Sequence, residues 1–314
     1  MSSLLTKRNN LITAADASVS TQQPQGGLLL LDKPTGISSN QALSAAKRLL
    51  GMRKAGHAGT LDPFASGMLI CAFGRATRVN AYLLEFDKSY RADVQLGVAT
   101  TTGDPDGERC ATAPVPALSR TQWQTLADRL CGPLQQVPPM YSAIKQQGKR
   151  LYELARQGIE VERKPRQVQI HALAVTAIDA DRLSFEVRCS KGTYVRTLAQ
   201  QLAELAGTQA HLHSLRRTVI GPFSEPDMVT PTQLEGSADR NKLLLPTAAA
   251  LQHLPLITLD QHQAQRFSHG QKLADVDPLG SLQSGDIVRV SCEHRLLGVA
   301  CFDAVQRLCP KRLF

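Results

Sequence analysis

Short stretches of alternating apolar and polar residues recur along the chain, and they predict strands that bury one face. The clearest is 88–97, where every second residue from Tyr90 to Leu96 is apolar. A similar alternation over 183–189 predicts another half-buried strand. The apolar run 28–31 precedes a turn that contains proline and glycine, so it predicts a strand at the start of the fold.

Apolar residues spaced three or four positions apart predict helices between these strands. In the first helix, Leu43, Ala46 and Leu50 form one apolar stripe. Either Ser38 or Ser39 would cap its amino-terminal end, because a serine hydroxyl accepts a hydrogen bond from the first helical turn. Three further helices are predicted at 76–85, 118–130 and 198–206.

The two ends of the chain differ from its middle. Residues 1–25 are polar and poor in aromatic residues, which predicts a disordered tail. Beyond residue 256, short apolar runs such as 288–290 indicate strands and a hairpin rather than helices. We therefore predict one large domain over 26–255 and a small one over 256–314, which a chain of 314 residues with 42% apolar content can support.

One stretch concentrates the residues that could do chemistry. Between residues 56 and 69 lie three glycines together with His57 and Asp62. Glycine permits backbone conformations that other residues avoid, and Pro63 disfavours the helical conformation at Asp62, so we predict a shaped loop that aims this carboxylate. An ordinary turn or helix start, with Asp62 as the cap and Pro63 in the first turn, would explain the same residues.

The charge of the chain favours a polyanionic partner. Lys and Arg number 36 against 27 Asp and Glu, which gives a net charge of +9. Such an excess is typical of proteins that bind nucleic acid, although a solvated basic surface would produce it too. The longest nearly apolar run, 26–31, is too short to span a bilayer, and 1–25 lacks the apolar core of a secretory signal. We predict no membrane association.

Cysteine and histidine indicate neither a disulfide framework nor a metal site. The seven cysteines are scattered without a C-x-x-C pair, and the eight histidines have no zinc-binding spacing with them. Reduced cysteines are typical of the cytoplasm, so we predict a cytoplasmic location. The chain also lacks a P-loop and a G-x-G-x-x-G unit, and we predict that it needs no metal or cofactor.

Several motifs together resemble one enzyme family. The stretch that begins at Gly56 reads G-H-A-G-T-L-D-P-F-A-S-G, which is similar to the catalytic motif of the TruB family, the tRNA pseudouridine-55 synthases. Further matches begin at Pro138, with the pattern P-x-x-Y-S-A-x-K, and at Cys189, with C-S-K-G-T-Y-V-R-T-L. The resemblance extends from residue 26 to about residue 223. One departure is Ile70, where members of the family usually have proline.

The resemblance implies an α+β fold, the pseudouridine-synthase fold, with a central mixed and mostly antiparallel sheet. It places the catalytic domain over 26–255, with an insertion at about 138–166 that grips tRNA. The strand pattern beyond residue 256 resembles the small PUA-like β-barrel that TruB enzymes carry, which is an RNA-binding module.

The resemblance also implies the site residues. The catalytic aspartate of the family corresponds to Asp62, and its active-site tyrosine corresponds to Tyr90. Arg196 corresponds to the partner of the aspartate and would keep the pKa of that carboxyl low. His57 corresponds to the histidine that stacks in the space left by the flipped uridine, and Tyr194 would pack against the flipped ring.

Two further residues complete the predicted site. Leu215 lies in another matched segment and is predicted to contact substrate. Lys33 lies in a turn that resembles the opening motif of the family, where it would be either a phosphate contact or a solvated turn lysine, and the sequence leaves both open.

This resemblance implies an isomerase that flips the uridine at position 55 out of the T loop of tRNA and converts it to pseudouridine. Its partner would be the T stem-loop of tRNA, and we expect no obligate protein partner. Three alternatives remain open at this point. They are a guide-RNA-dependent synthase of the same superfamily, a non-catalytic tRNA-binding or tRNA-folding protein, and an Asp-dependent hydrolase.

Overall fold

The computed structural model describes residues 26–142, 144–146, 148–276, 280 and 282–314. The predicted disordered tail over 1–25 lies outside the described residues. In chain order the strands and α-helices are β1 (Leu28–Lys33), α1 (Ser39–Leu49), β2 (Ala55–Ala58), β3 (Ser66–Phe73), α2 (Asn80–Glu85), β4 (Lys88–Leu96), β5 (Val98–Thr100), β6 (Arg109–Thr112), α3 (Arg120–Asp128), β7 (Gly132–Gln136), β8 (Lys145–Gln146), β9 (Lys149–Arg150), α4 (Leu151–Ala155), β10 (Arg166–Asp179), β11 (Arg182–Cys189), α5 (Val195–Leu205), β12 (Ala210–Ile220), α6 (Pro231–Gly236), β13 (Leu256–Thr258), α7 (Gln261–Ser268), β14 (Ile287–Cys292), β15 (Arg295–Phe302) and β16 (Leu308–Leu313).

The central sheet has eight strands in the order β1-β3-β12-β4-β11-β10-β7, with β2 paired to β3. Its pairs are antiparallel except for β3 and β12, which run parallel where Gly67 lies opposite Arg217. The predicted mixed and mostly antiparallel sheet is therefore confirmed. The parallel junction lies directly after the loop that carries Asp62.

One face of this sheet is covered by helices and the other carries charged side chains. On β4, Ala92 and Leu96 are at most 2% exposed, whereas Arg91 and Asp93 on the other face are exposed. Trp123 of α3 is fully buried in the same cluster as these apolar residues, together with apolar residues of α5. The predicted alternation of β4 and the predicted helix around Trp123 are confirmed.

The first helix begins with a capping box. Ser38 Oγ accepts a hydrogen bond from the Gln41 N–H at 3.2 Å, and Gln41 Oε1 accepts one from the Ser38 N–H at 2.8 Å. Ser38 is therefore the cap among the two predicted candidates. Ser39, one residue later, is buried and contacts the loop of Asp62 instead.

The predicted loop over 56–69 is shorter than expected. His57 lies in β2 and pairs with Cys71 of β3, and β3 already begins at Ser66. Since β3 is buried along almost its whole length, its sequence is a continuous apolar run without the alternation that marks a half-buried strand. Only residues 59–65 connect the two strands, and this connection carries Asp62.

Other elements also differ from the sequence pattern. The helix predicted over 76–85 is a 3-10 helix at Gly74–Val79 followed by α2. Strands β7 and β10 had no prediction. In β10, register shifts against β11 after Ile170 and Val175 interrupt the alternation of apolar residues, which explains why the pattern did not mark it.

The C-terminal residues form a second sheet, in the order β13-β14-β15-β16, which packs against α7. Val299 of β15, however, belongs to a buried cluster that includes Leu28 and Ile70 of the central sheet. Arg78 Nη1 also donates a hydrogen bond to the Leu313 carbonyl at 2.6 Å. The small sheet therefore completes part of the large core. The predicted domain boundary between residues 255 and 256 stays a prediction.

Candidate active site

The loop over 59–65 is held by the segment that follows β1. Ser39 Oγ donates to the Leu61 carbonyl at 2.9 Å and accepts from the Leu61 N–H at 2.8 Å. The Gly36 N–H donates to the Pro63 carbonyl at 2.8 Å. Both neighbours of Asp62 are thus fixed by hydrogen bonds, which limits the positions that its carboxylate can adopt.

Asp62 lies where two cavities meet. The larger is an open cleft of about 1280 Å³, and the smaller is a pocket of about 280 Å³ between β4, β12 and the start of α5. Asp62 and Arg196 line both cavities. Typical small-molecule sites measure about 300–1,000 Å³, so the cleft is larger than such a site and the pocket is slightly smaller. This arrangement suits a large ligand that inserts one small group beside Asp62.

Arg196 lies in the first turn of α5 and is only 4% exposed. Its Nε is 3.1 Å from Asp62 Oδ2, and its Nη1 is 3.4 Å from Asp104 Oδ2. Nη1 and Nη2 donate to the carbonyls of Thr102 and Tyr141, each at 2.7 Å. The structure therefore brings Asp62 and Arg196 together as predicted, and it adds a second carboxylate to the pair.

The pKa of Asp62 is raised above the ordinary value for aspartate, because the effect of burial exceeds the attraction of Arg196. The negative charge of Asp104 raises it further. Arg196 lowers this pKa, as predicted, but burial outweighs it, so the predicted low pKa of Asp62 is wrong. Burial is the largest cause of the raised pKa, although the Asp62 side chain is still 35% exposed.

We expect Asp104→Asn to move the acidic limb of the pH–rate profile to lower pH. The substitution keeps the side-chain shape but removes a charge that raises the pKa of Asp62, so Asp62 ionises at lower pH. The plateau rate should fall by about tenfold or more, because Arg196 loses the negative charge of its second ion-pair partner. Single-turnover rates measured across the acidic range would show both effects.

Asp106→Asn is the matched control for this prediction. The charge of Asp106 also raises the pKa of Asp62, but more weakly, and Asp106 makes no ion pair with Arg196 in the described residues. This variant should show a smaller shift and an unchanged plateau. An acidic limb that does not move in Asp104→Asn would contradict the electrostatic coupling of the two carboxylates.

The small pocket contains Tyr90 of β4 and Leu215 of β12. Leu215 is 8% exposed, and the ring of Tyr90 packs against the main core cluster. Burial raises the pKa of Tyr90, whereas the charge of Arg217 acts in the opposite direction. Tyr90 is therefore a protonated phenol at neutral pH. Its ring packs on the core, and the residue lines the pocket together with Asp62.

Tyr194 caps the other side of this pocket and is held by a buried amide. Its N–H donates to Gln136 Oε1 at 3.0 Å, and Gln136 Nε2 donates to the Tyr194 carbonyl at 3.4 Å. Gln136 is 1% exposed and also donates to Gln201 Oε1 at 3.2 Å. The backbone of Tyr194 is thus fixed from β7, at the junction before α5.

His57 lines the larger cleft rather than the small pocket. Burial and the charge of Arg217 lower its pKa, so the imidazole is neutral at pH 7. Its Nδ1 is buried and has no hydrogen-bond partner among the described residues. A neutral ring at this place is suited to stacking on a base rather than to carrying a proton.

Lys33 lines neither of these two cavities and is 0% exposed. Its ammonium donates to the carbonyls of Pro34 and Ile37, each at 2.8 Å, and to the Pro63 carbonyl at 3.4 Å. Burial lowers the pKa of Lys33 to about 8. The environment fits neither a phosphate contact nor a solvated lysine. We therefore correct the predicted substrate contact: Lys33 ties the turn after β1 to the loop of Asp62.

Three buried polar residues around the site had no functional prediction: Asp104, Gln136 and Arg217, each at most 5% exposed. Asp104 lies in an acidic turn whose local sequence gives no indication of its distant partner. Gln136 has no sequence signal either. Arg217 had a sequence signal. It follows Arg216 in an alternating segment, and one of two consecutive strand residues faces the core.

The described residues contain neither a metal-binding cluster nor a membrane-spanning helix. In the described ranges, no group of three or more His, Cys, Asp or Glu side chains could hold a metal ion. Within the same ranges, no helix is both long enough and apolar enough to cross a membrane. The expected absence of a cofactor stays a prediction.

Family sequence profiles match nearly the whole described chain. Residues 47–195 match the TruB family pseudouridylate synthase (N terminal domain). Residues 196–252 match the tRNA pseudouridylate synthase B C-terminal domain, and 255–314 match the C-terminal domain of pseudouridine synthase II TruB.

Individual proteins are similar over most of their length. The tRNA pseudouridine synthase B of Aromatoleum aromaticum is 50% identical over 289 residues, which cover 91% of this chain and 92% of that one. The protein of the same name from Nitrosococcus oceani is 46% identical over 292 residues, with 91% and 94% coverage. A chain in a crystal structure of a Cbf5-Nop10-Gar1 complex has a TM-score of 0.70 at 26% identity, covering 89% of this chain and 79% of that one. These similarities confirm the predicted fold class.

Proposed function

Because the chain belongs to the TruB family and is a tRNA pseudouridine synthase, an isomerase, we propose that its target is the T-loop uridine at position 55 of tRNA. We further propose Asp62 as the catalytic carboxylate. One observation supports this assignment above the others: Asp62 lies at the junction between a cleft large enough for RNA and a pocket with room for a single base.

The reaction breaks the bond between ribose C1′ and uracil N1 and forms one between C1′ and C5. The C5 proton leaves and N1 gains a proton, so substrate and product have the same composition. Asp62 would attack the sugar, attack the base or remove a ribose proton, and it must be ionised for each. Arg196 supports this role, because its guanidinium forms an ion pair with the Asp62 carboxylate and lines both cavities.

The flipped uracil would occupy the small pocket. Tyr194 and Leu215 offer apolar contact to the ring, and both line the pocket next to Asp62. A base inside duplex or loop stacking cannot be reached by a carboxylate, so the uridine has to leave its stack first. The remaining nucleotides would lie in the larger cleft, where His57 can stack in the space that the uridine leaves.

Tyr90 would act in its protonated form. Burial raises the pKa of Tyr90, which makes the tyrosinate scarce at neutral pH and a direct base unsuited to the C5 proton. We propose instead that the phenol holds a water molecule that accepts this proton. Tyr90→Phe keeps the ring on the core and removes only the hydroxyl, so it should slow proton loss and leave folding intact.

We expect His57→Ala to slow the reaction by about 5- to 150-fold, because stacking on one base contributes about 1–3 kcal/mol. The imidazole is neutral and would fill a gap rather than take part in bond breaking. Single-turnover rates on folded tRNA transcript would measure the loss. On a short unstructured RNA with an already unstacked uridine, the difference from wild type should shrink. A loss as large as that of a carboxylate substitution would assign His57 to the chemical step.

The direct test uses an unmodified tRNA transcript in buffer alone, without guide RNA, nucleotide or added metal cofactor. Pseudouridine mapped at position 55, and its absence when that position is cytidine, would support the proposal. The isolated T stem-loop should also react. Modification at another uridine would overturn the proposed target while leaving the enzyme class intact. A requirement for a guide RNA or a protein partner would favour the guide-dependent alternative.

A non-catalytic tRNA-binding protein is a weaker second candidate. It would bind the same transcript and leave it unmodified, although both activities can coexist in one protein. Catalysis is favoured because one pocket is lined by all four residues that the chemistry would use, Asp62, Arg196, Tyr90 and Tyr194. A cytoplasmic location and the absence of an obligate protein partner stay predictions.

A further inference from the structure

Arg217 is a buried cation whose role is not explained by the proposed chemistry. It lies on β12, is 2% exposed and belongs to the largest fully buried side chains. No carboxylate lies within ion-pair distance of it in the part of the chain that the structure describes. A buried charge is unfavourable unless hydrogen bonds compensate for the lost hydration, so its contacts indicate why it is there.

The guanidinium contacts the backbone on both sides of Asp62. Its Nη2 donates to the Gly59 carbonyl at 2.9 Å and its Nη1 to the Thr60 carbonyl at 3.5 Å. Its Nε donates to the Met68 carbonyl at 2.8 Å, in β3 beyond the loop. One rigid group thus joins the beginning of the loop to the strand that follows it.

The same side chain also reaches the small pocket. Arg217 lines this pocket together with Tyr90, and its backbone lies opposite Tyr90 in the pairing of β12 with β4. On its other side it lies opposite Gly67, where an added Cβ would come within 2.3 Å of the Arg217 carbonyl oxygen. The backbones of β3 and β12 are therefore in close contact at Gly67, so neither strand can shift there without moving the backbone of Arg217.

We propose that Arg217 is a positioning residue that sets the distance between the Asp62 loop and Tyr90. This proposal rests on the proposed function of both residues. The planar guanidinium directs N–H groups to three carbonyls at once and lines the pocket beside Tyr90, whereas the single nitrogen of lysine cannot span these carbonyls. Arg217→Lys keeps the charge and should lose the geometry.

Arg216 provides a matched control on the same strand. It faces the opposite side of the sheet, where its guanidinium binds both oxygens of Asp32 at 2.9 Å and Glu225 Oε1 at 2.7 Å. Arg216→Lys therefore removes a bidentate contact of similar quality that lies outside both cavities. It should affect stability without affecting the rate of the chemical step.

The experiment compares Arg217→Lys and Arg216→Lys in single turnover at saturating tRNA, together with tRNA affinity and melting temperature. We expect Arg217→Lys to lose about 100-fold in rate, as for a misplacement of about 1 Å, with tRNA affinity within threefold of wild type. Arg216→Lys should stay within threefold in rate. Equal rate losses in the two variants, or a loss explained by weaker tRNA binding, would overturn the proposal.

A second variant addresses the case in which the lysine variant does not fold. Arg217→Ala leaves space for a free guanidinium ion, and millimolar guanidinium should restore at least tenfold of the lost rate, with no such effect on Arg216→Ala. Failure of both Arg217 variants to fold would make the residue purely structural and overturn the proposal. Wild-type enzyme measured in parallel separates the outcomes, because a wild type without activity at position 55 would refute the proposed function itself.

Discussion

Asp62→Asn is expected to reduce pseudouridine formation below detection while tRNA affinity stays within a few-fold of wild type. Among the described residues, Asp62 is the only carboxylate that lines both cavities, and the substitution removes its charge but hardly changes the shape of the cleft. Binding energy comes mainly from contacts to phosphates elsewhere on the RNA, so affinity should survive. Filter binding and a single-turnover assay on the same preparation would measure both quantities.

The same variant should be at least as stable as wild type at pH 7. The pKa of Asp62 is raised in the folded state, so its contribution to the free energy of unfolding decreases as pH rises from the ordinary carboxyl pKa through the raised one. Above that window the ionised Asp62 opposes folding, and asparagine removes this effect. A melting temperature well below wild type, or turnover in a preparation free of deamidated asparagine, would contradict our assignment. Asp62→Ala controls for deamidation.

Arg196→Met is expected to destabilise the fold by about 3–5 kcal/mol, because it leaves Asp62 and Asp104 in a buried site without their shared cation. The rate should fall by about 10²–10³-fold, the usual effect of removing one electrostatic contact from an active site. Loss of Arg196 also raises the pKa of Asp62 further, so the acidic limb of the pH–rate profile should move to higher pH. Denaturant unfolding and pH–rate profiles measure these effects.

Two additional variants make this prediction specific. The double variant Arg196→Met/Asp104→Asn removes one of the two carboxylates that Arg196→Met leaves without a cation. Part of the stability lost in Arg196→Met should return, while the rate stays low. Arg188→Met is the control, since Arg188 is exposed on the other face of the sheet and forms a surface ion pair with Asp87 at 3.5 Å. If Arg188→Met and Arg196→Met lose similar stability, the shared guanidinium is not the cause.

Much of the sheet and the centre of the site could be predicted from sequence because their signals are local. The alternation over 88–97 gave β4, including the buried face that carries Tyr90. Ser38 followed by Gln41 is a short-range capping signal, and the structure has that box. Asp62 and Arg196 lie in motifs that resemble the family, and the structure brings them to 3.1 Å.

What could not be predicted depends on contacts between distant parts of the chain. Asp104 reaches Arg196 from a turn that looks like any acidic loop, and Gln136 holds Tyr194 across 58 positions. The pKa of Asp62 depends on how burial and neighbouring charges balance, which no motif contains. For Lys33 the sequence left a phosphate contact and a solvated lysine open, yet the ammonium is buried and donates hydrogen bonds to three nearby carbonyls.

The buried cluster that joins Leu28 and Ile70 to Val299 has a consequence for synthesis on the ribosome. Leu28 pairs with Ala72 of β3, but it also exchanges two backbone hydrogen bonds with Leu245, at 2.8 and 2.9 Å, so the first strand acquires part of its contacts late. At about 5–20 residues per second, the segment from β1 to β15 takes roughly 15–50 s to emerge. During that time the apolar strands β1 and β3 cannot complete their packing, so a nascent chain of this protein should recruit a chaperone that binds exposed apolar strands.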